Sequence, residues 1–198
     1  MNGEAGRSPG FPIRAGAACA LQDSTQPETR HPPIMKLSSC TDLFFDQLRD
    51  LLSVERQLED SFPDLLRRAR AAELRQVISN HIPENRRQRE RLEAIFEEHG
   101  VKVGNDVSKA MAGLIEGGDQ HLAATEDPRV ADLLIIAHCS RIKHYEMAGY
   151  GFAACLGDCV GFAKEAEILN EILDEERAMH LALLQTAAGL FAPCTVEG

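Results

Sequence analysis

The chain has 198 residues, 44% of them hydrophobic, which is enough for one well-buried core and too short to demand two domains. Its formal net charge of −10, with no run of clustered Lys and Arg, gives no general attraction for phosphate backbones or anionic lipid. Nucleic acid and membrane surfaces are therefore not expected partners. Aromatic residues make up 5%, Trp is absent, and Ala and Leu abound, so the core must be aliphatic and the class all-α. No apolar stretch approaches the roughly 20 residues of a spanning helix. The six cysteines include no C-x-x-C pair. Cys139 and Cys155 lie among apolar neighbours and are expected to be small, buried, reduced side chains, which points to the cytoplasm. A short apolar piece at 15–21, behind Arg7 and Arg14, is weaker than a signal-peptide core.

From the N-terminus to position 34 the sequence is rich in Gly, Pro, Ser and Thr and has no hydrophobic period, so a disordered tail is expected there. The folded domain is expected over 35–190, with 191–198 a second tail. The first helical segment runs over 41–71 behind Thr41 as a cap, with Phe44, Leu48, Leu51, Leu52, Leu58, Phe62, Leu65 and Leu66 at 3-and-4 spacing. Pro63 should bend it. The second covers 73–99, carries Leu74, Ile78, Leu92, Ile95 and Phe96 on one face, and ends at Gly100. A long link follows, with a short helix over 108–124. Pro128 opens the third long helix, expected to reach 156. After a turn at 157–161, the fourth covers 162–190 with Leu169, Ile172, Leu173, Leu183 and Leu184 as its apolar stripe. Two helical hairpins joined by one long crossover is the connectivity of a ferritin-like four-helix bundle, here with a short extra helix in the crossover.

Polar residues interrupt these stripes. Glu55 lies seven residues after Leu48 and seven before Phe62, so it points inward with them. On the second helix His81, Glu84 and Gln88 continue the stripe from Ile78 to Leu92. Glu146 falls in line with Ile135, Cys139, Ile142 and Ala153, and Glu176 and His180 lie one turn apart between Leu173 and Leu183. Each long helix thus contributes an inward carboxylate. Four ionised carboxylates packed together would cost several kcal/mol apiece without compensation. Two divalent cations would neutralise them. Oxygen-rich coordination with an imidazole from His180 or His81 suits iron or manganese, with zinc allowed by affinity order. The competing reading is a metal-free polar network involving Arg87. His144 turns about 200° from Glu146 and reads as an outward or interface residue. Glu175 reads equally as a supporting or a solvated group. Tyr145 and Tyr150 read first as packing residues.

The residues also resemble a known family. Ser53-Val54-Glu55-Arg56-Gln57-Leu58, His81 with Glu84 and Gln88, Met111-Ala112-Gly113-Leu114-Ile115-Glu116, His144-Tyr145-Glu146 with Gly149-Tyr150-Gly151, and the segment from Glu171 to Glu176 are together similar to the YciE/YciF family of bacterial ferritin-like proteins. The resemblance covers 35–188. It implies a helical bundle, often dimeric, tied to bacterial stress responses, with a di-metal site inferred from likeness to rubrerythrin-like proteins. Carried over, the implied ligands are Glu55, Glu84, Glu146 and Glu176. Two departures stand out. The Glu-x-x-His spacing of ferritin-like oxidases is broken, because Glu84 is followed by Arg87 and Glu176 by Met179; and Pro83 stands where the family usually has an acidic residue. The expectation is a stress-associated homodimer with up to two metal ions per chain, suited to iron with oxygen or peroxide. The alternative is a non-catalytic structural or interaction bundle.

Overall fold

The structure is a computed structural model that describes residues 37–191. The expected N-terminal tail lies outside the described residues, and so does the C-terminal one apart from Phe191, which ends the last helix. Five helices follow in order: α1 Cys40–Arg68, α2 Ala72–Glu98, α3 Lys109–Ala123, α4 Pro128–Val160 and α5 Ala163–Phe191. The four long ones form the bundle. α1 packs on α2, α4 on α5, and the two hairpins meet through α1 with α4 and α2 with α5, while α3 lies against α4 and α1.

Local chemistry sets the boundaries. The cap of α1 is Ser39 instead of Thr41, with its side chain accepting from Asp42 N–H at 3.0 Å. Pro63 and Pro83 both sit inside continuous helices. Asp132 of α4 is buried beneath the α1–α2 turn, where its two oxygens accept from Arg70 and Ala71 N–H at 2.8 Å each. Gly100 closes α2 at φ 61°, and Val101 N–H reaches back to Phe96 O at 3.0 Å, the 6→1 bond of a Schellman end. The crossover is tied to α1 by Ser108, whose N–H donates to Ser53 Oγ at 2.8 Å and whose carbonyl accepts from Gln57 at 3.1 Å. Pro128 opens α4 as expected, behind Asp127, whose side chain accepts from Arg129 and Val130 N–H.

Three further expectations need correction. α4 continues past Leu156 to Val160, because Gly157 packs inside the bundle, where an added Cβ would meet Phe44 at 3.2 Å; the chain turns only at Gly161, φ 88°. Leu184 is exposed, since Leu183 already fills the inward position of that turn. Cys155 is exposed, while Cys139 is buried as expected.

The apolar core falls into two layers. One holds Phe44, Leu48, Leu51, Leu52, Leu92, Ile95, Phe96, Leu169 and Ile172. The other holds Leu58, Phe62, Leu65, Leu74, Ile78, Ile135, Ile142 and Leu183. Burial of each such side chain contributes about 1.5–3 kcal/mol. Along every long helix the change from one layer to the other comes at or beside polar residues: Ser53 and Glu55, the stretch from His81 to Gln88, Lys143 to Glu146, and Glu176.

Candidate functional site: a lysine among buried carboxylates

Between the two layers, four helices bring together Glu55, His81, Asn85, Gln88, Lys143, Glu146 and Glu176, each no more than 1% exposed. Lys143 is the hub. Its Nζ lies 2.6 Å from Glu146 Oε2 and 2.5 Å from Glu176 Oε2. It is also 2.8 Å from His81 Nε2 and 5.3 Å from the centre of the Phe62 ring. Among the described residues, no hydrogen-bond donor outside this ion-paired contact reaches the carboxylate oxygens of Glu146 or Glu176. Glu55 is held separately, accepting from Tyr150 O–H and Asn85 Nδ2.

The electrostatics follow from burial and from this one cation. Burial alone disfavours a charged Lys143, but Glu146, Glu176 and Glu55 outweigh it and raise its pKa above the ordinary lysine value, so it is an ammonium. Burial, then Glu176, pushes Glu55 up to about 8 against the opposing pull of Lys143, Tyr150 and Asn85. Glu146 is raised well above the carboxylate range by burial and by Glu176. His81 is driven down to about 3 by burial and then by Lys143, so its imidazole is neutral. Nε2 accepts from Lys143, which puts the ring proton on Nδ1, 3.3 Å from Glu84 Oε2. One ammonium and protons retained on carboxylates hold the centre close to neutral.

Of the ligand candidates read from the sequence, Glu55, Glu146, Glu176, His81 and Gln88 meet in this centre. Glu84 does not: its side chain is 37% exposed, and Arg87 lies 3.9 Å away on the surface. Asn85 takes the inward position instead, because the buried positions run 81, 85, 88 in steps of four and three. Gln88 donates to Glu175 at 3.0 Å, and Arg91 binds the same carboxylate, so Glu175 supports the edge of the site. His180 is half-buried and packs on the exposed His144. Tyr145 donates to Asp50 at 2.7 Å.

As arranged, these side chains do not fit a two-metal centre. Lys143 holds the oxygens of Glu146 and Glu176 that a metal would need, and an ammonium donates but cannot coordinate. Sequence reasoning missed both Lys143 and Asn85. The signal for Lys143 was present, because Ile136, Cys139, Lys143, Glu146 and Tyr150 recur at steps of three and four.

Four long helices around a buried carboxylate layer, with a crossover carrying a short helix, define a ferritin-like bundle. Within that class the chain belongs to the YciE/YciF family: the family model described as Domain of unknown function (DUF892) matches residues 39–192. Protein YciF of Escherichia coli K12 is 34% identical over 154 residues, 77% of this chain and 93% of that protein. The crystal structure of the E. coli stress protein YciF superposes with a TM-score of 0.75 at 33% identity, covering 78% of this chain and 98% of that one. YcfI of Rhodopseudomonas palustris, described as a candidate structural protein, gives 0.73 at 29% identity over 75% and 95% of the two chains. A protein from Xanthomonas campestris pv. campestris, at 16% identity and a TM-score of 0.62 over 77% and 93%, shares the fold alone.

Proposed function

We propose that this chain is a metal-independent, non-catalytic bundle of the stress-protein family, in which Lys143 supplies the positive charge its buried carboxylates require. The observation that carries this reading is the position of the Lys143 ammonium between Glu146 and Glu176, fully buried. Breaking such a pair would strand charges in a low-dielectric interior, so the lysine ties α4 to α5. The similarity to a stress protein and to a candidate structural protein agrees with this role. A cytoplasmic homodimer is its proposed setting: the thiols of Cys40, Cys139, Cys155 and Cys159 are free, and a reducing compartment keeps such thiols free.

The alternative is carboxylate-bound iron or manganese acting on oxygen or peroxide, and an iron-oxidation assay separates the two. Aerobic addition of iron(II) to the full chain is expected to give oxidation no faster than buffer. Catalysed oxidation lost in both Glu146→Gln and Glu176→Gln would overturn the proposal.

A further inference from the structure

His144 follows Lys143 on α4 and is exposed, while His180, one turn beyond Glu176 on α5, is half-buried. Their rings meet edge to face with 4.5 Å between centres. His144 Nδ1 is 2.8 Å from the carbonyl of Ser140, so Nδ1 carries the proton and donates, which leaves Nε2 with a free lone pair on an exposed ring. Across from it on α5, His180 Nδ1 is closed off from solvent without a hydrogen-bond partner, as is Ser140 Oγ on α4. An unmet buried polar atom is destabilising, and an edge contact between two imidazoles satisfies neither of these nitrogens.

Two imidazoles on one zinc ion, at metal–nitrogen distances of about 2.0–2.1 Å, hold their ring centres about 5 Å apart. A small rotamer adjustment would bring this pair to that spacing. We propose that His144 Nε2 and His180 Nδ1 form a two-histidine site for a divalent transition-metal ion of the zinc and copper type, separate from the carboxylates around Lys143. Two imidazoles without a carboxylate favour copper(II) and zinc over manganese or iron(II). Exposure of His144 leaves water to complete the coordination.

The test uses the full chain, reduced, with copper(II) and zinc(II) as probes. Calorimetry at pH 7.5 is expected to show one ion per chain at this site, weakened at least tenfold by His144→Ala and by His180→Ala and unchanged by Glu146→Gln. Electron paramagnetic resonance of the copper-loaded chain is expected to show hyperfine splitting from two imidazole nitrogens. His144 is exposed, so His144→Ala keeps the fold even if the second variant does not, and circular dichroism checks this. Absence of binding, binding unaltered by His144→Ala, or a copper spectrum without two nitrogens would each overturn the proposal. Iron or manganese binding at Glu146 and Glu176 would bear only on the earlier reading.

Discussion

Lys143 Nζ on α4 lies 2.5 Å from Glu176 Oε2 on α5, and neither side chain touches solvent. The ion pair therefore joins the helices of the second hairpin at their midpoint, with His81 of the first hairpin 2.8 Å away.

Removing the lysine charge should expose what it neutralises. Lys143→Met, close in length and apolar, is expected to cost about 3–5 kcal/mol in urea unfolding, because Glu146 and Glu176 lose their cation inside the bundle. Adding Glu146→Gln and Glu176→Gln to that variant should recover part of the loss. A single variant as stable as the native chain would show that the pair contributes nothing.

Stability should fall as pH rises above neutrality, which is opposite to the usual behaviour of a paired carboxylate. Glu55 moves from 4.5 unfolded to about 8 folded, so the folded chain holds the extra proton and loses stability between those values. His81 moves from 6.5 to about 3, so its contribution grows as pH rises through that lower window. The two oppose one another between pH 4.5 and 6.5. Between 6.5 and 8 Glu55 acts without that opposition and should lower stability by about 2 kcal/mol. Glu55→Gln should lessen this decline, measured as the urea midpoint against pH, leaving the contribution of Glu146, which burial also raises.

Tyr150 tunes the same carboxylate. Tyr150→Phe deletes the O–H that Glu55 accepts, at a cost of about 1–3 kcal/mol. Since that hydrogen bond lowers the pKa of Glu55, the variant's decline with pH should extend above 8. A decline ending at the same pH would show that Tyr150 does not contact the carboxylate.

At the end of the bundle, Asp132→Ala removes both acceptors from the α1–α2 turn and should cost about 2–4 kcal/mol. Asp132→Asn keeps one acceptor and should cost less. Equal stability of both variants with the native chain would sink the assignment.

Helical period made the bundle legible from sequence: Leu48, Leu51, Ile78, Ile135 and Leu169 are all buried where their spacing put them. The same phase found Glu55, Glu146, Glu176 and His81. It failed at Glu84 and Asn85, adjacent positions about 100° apart, where a small error in assumed phase decides which one faces in. Lys143 was passed over for a different reason. A lysine inside a core violates the ordinary burial preference, and its stabilisation comes from carboxylates on another helix, which a linear pattern does not display. The end of α4 was misplaced because Gly157 reads locally as a turn residue, whereas Phe44, far away in sequence, packs against it.

If Lys143 stands in place of metal charge, manganese(II) should find no site among these carboxylates, and that ion is the suitable probe because it favours oxygen ligands and binds imidazole pairs weakly. The six-line resonance of free manganese, followed during titration of chelator-treated chain, counts ions bound. The native chain should show no binding at micromolar manganese that depends on Glu146 or Glu176, and such binding should arise only after Lys143→Ala frees those carboxylates. One or two manganese ions held by the native chain, and released in Glu146→Gln and Glu176→Gln, would contradict it.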